Sequence, residues 1–231
     1  MALKRHAKAL HSLDHSIALK SDYVDTLYNR VNALKALGRH DEALASFTSA
    51  ITLAPQHVEA LNNRGLLLQT LGRLDEALTC FDAAIRTAPD SATARWNKSL
   101  LTLLCGDFWQ GLPLYESLWR VENMLPHKRV FDRPPWLGEE RLHGKTILLW
   151  AEQGFGDTIQ FSRYAARVAA QGGNVILEVQ PALKLLMASL GGPMQIVARG
   201  EPLPAFDCQT PLQSLPLAFR TALEAIPVEV P

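Results

Sequence analysis

The residues best suited to chemistry lie in one loop, Glu152-Gln153-Gly154-Phe155-Gly156-Asp157-Thr158. A carboxylate held at the mouth of a cleft, with glycines beside it that let a substrate approach, can take a proton from an attacking hydroxyl, so Asp157 is a candidate general base. Gln153, Gly154, Phe155, Gly156 and Thr158 are the candidate substrate-binding residues around it. Asp157 also fits a helix start. Asp157-Thr-Ile-Gln160 has the spacing of a capping box, which would stabilise the helix by roughly 1 kcal/mol. The glycine pair Gly154 and Gly156 admits a third reading, a dinucleotide loop with Glu178 holding a ribose. Two features oppose it: Ile159 stands in place of a third glycine, and the Asp157 carboxylate would compete with a pyrophosphate for the helix N-terminus. Cys80, Cys105 and Cys208 show neither a CxxC nor a Cys/His spacing suited to zinc, and they read as small buried hydrophobes in a reducing compartment. No metal ligand set is expected.

The elements around the loop are those of an α/β unit. Thr146–Glu152 and Asn174–Gln180 are apolar runs of strand length bounded by turn signals. Between them, Asp157–Gln171 places Phe161, Ala165 and Val168 on one helical side and stops at Gly172-Gly173. Strand, glycine loop, helix and strand close naturally as a right-handed βαβ unit in a parallel sheet, with the loop at the carboxyl end of the first strand, where such sheets bind ligands. Pro181–Leu190 reads as another helix, Gln195–Ala198 as a third strand, and Phe206–Leu215 as an extended segment leading to a last helix.

The N-terminal half has a different grammar. Three prolines fall in residues 1–120 and eleven in 121–231, so two architectures share the chain. At an offset of 34, Gly38, Ala43, Leu44, Phe47, Ala50, Ile51 and Pro55 recur as Gly72, Ala77, Leu78, Phe81, Ala84, Ile85 and Pro89, and Asn29 recurs as Asn63 and Asn97. Ala43, Phe47 and Ala50 share a helix face on which small residues admit a neighbouring helix and the ring fills the remaining gap. Glycine suits the turn before that helix, and proline closes the unit. Each hairpin must stack to bury its apolar face.

These residues resemble the tetratricopeptide repeat (TPR) family, over Val24–Pro55 and Val58–Pro89. Arg30-Val31 replaces the Arg64-Gly65 of the second unit, which suggests looser packing in the first. A third unit runs on from Ala92, but Gly111, Leu118 and Asn123 replace its alanines and proline, as suits a junction. Before residue 24, Ala9, Leu13 and Ile17 fit only the second helix of a preceding unit, so the array is expected to begin mid-repeat. The resemblance implies a concave face that holds a protein or peptide. Asn29, Asn63, Arg64 and Asn97 are its candidate contacts, since a carboxamide both donates to and accepts from a peptide backbone. The competing role for the asparagines is to satisfy groups between helices.

A second resemblance covers residues ~134–231. Pro135-Trp-Leu-Gly138, Gly144-Lys-Thr, Leu148–Asp157, Phe161-Ser-Arg-Tyr164, Leu177–Gln180, Gly200–Pro204, Phe206-Asp207 and Ser214-Leu-Pro216 look like bacterial TPR proteins that carry a glycosyltransferase domain related to the heptosyltransferases. It implies a GT-B enzyme whose N-terminal half holds a glycan or protein acceptor. Its C-terminal half would bind a sugar nucleotide, and Asp157 would be the base. Too few residues follow for a donor half, so the chain is expected to lack a complete sugar-nucleotide site, to hold no cofactor of its own and to be a piece of a larger transferase.

The fold class expected is α plus α/β: a TPR solenoid over 1–120 (units near 24–57, 58–91 and 92–125, and a partial one before 24), a linker over 121–143, and a partial Rossmann-like parallel sheet, the GT-B N-terminal half, over 144–231. Equal counts of basic and acidic residues, 23 each, argue against nucleic acid as partner. No run approaches the ~18 apolar residues of a membrane span, and the start does not read as a secretory signal, so the cytoplasm is the expected compartment. Function then divides between a sugar-nucleotide-dependent transferase fragment and a non-catalytic interaction scaffold with a remnant α/β domain. A nicotinamide-dependent enzyme is the third possibility.

Overall fold

The computed structural model describes residues 2–19, 24–152 and 154–228. The chain forms two compact units, Met1–Cys105 and Gly106–Pro231.

The first unit is helical: α1 (Ala2–Leu19), α2 (Val24–Ala36), α3 (His40–Leu53), α4 (Val58–Thr70), α5 (Leu74–Thr87) and α6 (Ala92–Leu104). Two hairpins, α2–α3 and α4–α5, repeat the same turn. Gly38 and Gly72 sit at φ +71° and +74°. In each turn the glycine N–H donates to the carbonyl three residues back (Lys35, Gln69), and the next N–H reaches Leu34 or Leu68 at 2.9 Å. This doubly bonded helix stop requires a left-handed residue, which glycine adopts without strain. The alanines and rings of the repeat are buried as the spacing demands: Ala43, Phe47, Ala50, Ala77, Phe81 and Ala84 all lie inside. A Cβ on Gly65 would stand 2.6 Å from the Phe81 ring, so α4 and α5 close to a distance that only glycine permits. In the first hairpin Val31 occupies the equivalent place and is itself buried.

Helix α1 packs on α2 through Leu10 rather than Ala9, which is exposed; Leu13 and Ile17 are half-buried. Ala9 corresponds to Ala43, which faces the first helix of its own hairpin. Among the described residues α1 has no such helix to face.

A polar row threads the stack at a spacing of sixteen residues. Arg30 donates to Asp14 and to Ser46, both at 2.6 Å, and Lys98 donates to Asp82 at 2.6 Å. Arg64, between them in register, donates to Cys80 Sγ at 2.9 Å, but its Nε is buried without a partner among the described residues. The reason is residue 48: threonine stands where Asp14 and Asp82 stand. Thr48→Asp is expected to raise stability by about 0.5 kcal/mol, a partly screened ion pair in place of an idle donor. The gain should be read by thermal melting and should vanish in an Arg64→Met background. An unchanged or lower melting point would show that residue 48 does not set the pairing.

The second unit carries a parallel four-stranded sheet, β1 (Thr146–Trp150), β2 (Asn174–Val179), β3 (Met194–Ala198) and β4 (Cys208–Pro211), in the order β3-β2-β1-β4. Over β1 and β2 both faces are covered, which is why these two strands read as apolar runs. On one face Ile147, Leu149, Val175, Leu177 and Val179 pack with Trp136, Leu142, Tyr164, Ala165, Val168 and Leu212. On the other, Leu148, Trp150, Ile176 and Val197 meet Trp119, Phe131, Leu203 and Phe206. The helix expected over 157–171 is two short ones, α8 (Phe155–Ser162) and α9 (Ala165–Ala170). The break lies at Arg163-Tyr164, where Tyr164 N–H turns back to Phe161 at 3.1 Å and the Tyr164 ring is drawn into the core. Pro181–Leu190 likewise resolves into a 3₁₀ turn, Pro181–Leu183, and a five-residue helix α10 (Lys184–Ala188).

The boundary differs from that read in the sequence. The second helix of the third repeat, α7 (Phe108–Tyr115), belongs to the second unit. The 121–143 segment is no linker. Trp136 is buried, its N–H donates to the Gln209 carbonyl at 2.9 Å, and Gln209 N–H donates to Pro134 at 3.1 Å, so this stretch pairs beside β4. Gly138, at φ +94°, lies so close to the end of α11 (Leu215–Ala218) that a Cβ would meet the Ala218 carbonyl at 2.1 Å. Burial of Trp136 and the close approach at Gly138, not composition, place this stretch inside the second unit.

Candidate functional site

The chain runs from β1 through β2 to β3 on one side and then crosses to β4 on the other side of β1, so the carboxyl ends of β1 and β4 form the crevice where open α/β sheets accept ligands. Glu152 follows β1 and Gln213 follows β4, and they meet there: the Gln213 N–H donates to Glu152 Oε1 at 2.9 Å. Glu152 is 8% exposed, and its Oε2 is buried without a partner among the described residues. Burial pushes its carboxyl up to about 8, against the pull of the Gln213 N–H. At neutral pH the group is therefore largely protonated, a donor rather than a base.

Two side chains from the N-terminal edge of this unit complete the cluster. Tyr115, at the end of α7, donates to Gln213 Oε1, and Glu116 accepts from Ser214 Oγ at 2.7 Å. Burial raises the Tyr115 phenol, and Glu152, Asp157 and Glu116 add to the effect; burial also raises Glu116. Sequence reading placed Glu152 in the chemical loop without giving it a role, and did not single out Tyr115 or Glu116 as site residues. Glu152 carried a signal, a carboxylate directly after an apolar strand; the other two lie 98 residues from the groups they bond and carried none.

Asp157 stands at the same edge, half-buried, with a different role in the helix from the one expected. Helix α8 begins at Phe155 with Gly154 as its N-cap, and Asp157 is its third residue, accepting from the Gly154 N–H at 3.2 Å. Asp157 thus binds back to the cap instead of being the cap, because the glycine's extended backbone starts the helix earlier than the Asp157–Gln160 box would. Thr158 is buried and donates to Gln180 Oε1 at 2.9 Å, so it ties α8 to the end of β2 and does not face a substrate. Gly154, Phe155 and Gly156 are exposed, and Phe155 forms with Ile159 an apolar strip one helical turn long. Gln153 lies outside the described residues.

Glu178 has no room for a ribose. It is buried in β2 and paired with Arg129, whose guanidinium also sits over the Phe131 and Trp150 rings at 4.6 and 5.7 Å. Among the described residues no group of three or more His, Cys, Asp or Glu is placed to hold a metal, and no helix is long and apolar enough to cross a membrane.

In the helical unit Asn63 Nδ2 donates to Tyr28 Oη at 2.5 Å and Asn97 Nδ2 to Asn62 Oδ1 at 2.9 Å. Each asparagine thus binds the first helix of the preceding repeat, while Asn29, in the first of these helices, is exposed. Their common register is met by this spacing role. Along the same helices the side chains change character: Asn32, Leu66 and Leu100 are equivalent, as are Ala36, Thr70 and Leu104. Leu100 and Leu104 are 40% and 67% exposed.

Residues 28–92 and 64–108 match the tetratricopeptide repeat family. Among solved structures the chain is similar to MamA from Desulfovibrio magneticus RS-1 (22% identity, TM-score 0.46, 53% of this chain and 68% of that one). It is also similar to a tetratricopeptide repeat protein from Parabacteroides merdae (21% identity, TM-score 0.47, 51% of this chain and 47% of that one). No curated protein matches the chain. Residues 28–108 therefore carry tetratricopeptide repeats.

Proposed function

We propose that the protein is an interaction scaffold whose tetratricopeptide repeats hold a protein partner on their first-helix face. The observation that carries this reading is the repeat match over 28–108 together with the row that α2, α4 and α6 present, polar at Asn29 and Asn32 and apolar at Leu100 and Leu104. Exposed leucines on a repeat helix fit the apolar side of an extended or amphipathic peptide, and the polar end fits its backbone. Asn63 and Asn97, whose amides already bond within the stack, act mainly by fixing helix spacing. The α/β unit is the scaffold's second part. As the acceptor half of a sugar-nucleotide-dependent transferase it draws no support from the comparisons, and the Asp157 carboxylate such an enzyme would use is bonded to the Gly154 N–H.

A peptide display selected against the intact chain tests the scaffold. Selected peptides should lose at least tenfold in affinity, about 1.4 kcal/mol, when Leu100 and Leu104 are both changed to aspartate, and less when Asn29 becomes alanine. Binding that ignores these changes, or transfer of sugar by the chain that stops with Asp157→Asn, would overturn the reading.

A further inference from the structure

A groove of about 430 Å³ opens in the second unit between α7 and the end of α11, walled by Phe108, Trp109, Leu112 and Leu217 and ending at Arg220 and Thr221. Its size and mostly apolar lining with few polar groups are those of a small-molecule site. Two neighbouring residues give its end a chemical sense. Thr221 is 4% exposed, yet its hydroxyl has no hydrogen-bond partner among the described residues. Buried hydroxyls are ordinarily bonded, so this one keeps unused bonding capacity at a residue that lines the groove. Arg220 is the only charged residue lining the groove, and no ion pair is drawn to it among the described residues.

The backbone at Arg220 sharpens the point. Helix α11 stops as α2 and α4 do: Arg220 N–H donates to Leu217 at 2.9 Å and Thr221 N–H to Pro216 at 2.9 Å. Where those helices place Gly38 and Gly72 in the left-handed region, this one places arginine, at φ +47°. Glycine is the residue such a stop favours, and the arginine persists against that preference.

We infer that this groove binds a small amphiphilic carboxylate, its apolar body along Trp109, Leu112 and Leu217 and its carboxylate between the Arg220 guanidinium and the Thr221 hydroxyl. The groove is lined by the second unit alone and does not depend on the scaffold reading.

Calorimetric titration of the intact chain with decanoate, decanol and acetate, all below micelle-forming concentrations, tests it. Decanoate should bind one per chain, decanol about tenfold more weakly, and acetate not measurably. Arg220→Gly should weaken decanoate about tenfold, leave decanol unchanged and raise the melting temperature, because glycine relieves the left-handed backbone; Arg220→Gln should weaken decanoate equally. Thr221→Val should weaken both ligands while also raising the melting temperature. Gain in stability with loss of binding separates a ligand site from a structural one. Equal affinity for decanoate and decanol, insensitivity to both Arg220 variants, absence of binding, or non-saturating uptake would each overturn the proposal.

Discussion

Phe81→Ala is expected to destabilise the helical unit by about 3–5 kcal/mol, because a fully buried ring between packed helices leaves a cavity that its neighbours cannot close. The ring does more than fill space. It lies against Gly65, where even one added carbon would fall 2.6 Å from it, so ring and glycine are a matched pair. That pairing predicts a non-additive cycle. Gly65→Ala alone should destabilise by forcing the Phe81 ring aside. In the Phe81→Ala background the same methyl enters the cavity and should be neutral or stabilising, the more so because alanine is the better helix former by about 1 kcal/mol. Chemical denaturation of the four variants, followed by helix signal, measures the coupling, expected at about 2 kcal/mol. A loss below about 1 kcal/mol for Phe81→Ala, or additive singles, would count against the stacking register.

The same residues show why the helical unit could be read from the amino-acid string. Gly38 and Gly72 stop helices, Ala43 and Ala77 admit neighbours and Phe47 and Phe81 fill gaps, each for local reasons that survive at a fixed offset of 34. The strands were legible too, since cover on both faces turns Thr146–Trp150 and Asn174–Val179 into apolar runs. Local spacing failed where tertiary contacts decide. Nothing around Trp136 announces that it is buried and that its backbone pairs beside β4, so the segment reads as a linker. Nothing near Glu178 announces Arg129, 49 residues away, so the carboxylate reads as available. Asp157 lies between these cases: its place at a helix start was visible, but whether it caps or is tied to the cap depends on where Gly154 turns the chain.

Stability should fall as pH rises from about 4.5 to about 8, and Glu152→Gln should remove most of that slope. In the unfolded chain Glu152 ionises near 4.5; in the fold burial holds it protonated up to about 8. Over that window the folded state binds the extra proton, so each pH unit removes up to about 1.4 kcal/mol, and the full effect is at most about 5 kcal/mol. The contribution is complete below the unfolded value and gone above the folded one. Glu116, also raised by burial, pushes in the same direction, so some slope should remain in the variant. Glutamine keeps an oxygen for the Gln213 N–H and brings no charge into the crevice, so Glu152→Gln should exceed the unmodified protein in stability at pH 8.5 by several kcal/mol while matching it near pH 5. Denaturation at both pH values decides it. Equal slopes in the two proteins would mean that the carboxylate is solvated and ionised in the fold, and that the crevice between β1 and β4 is open to water rather than closed over a neutral acid.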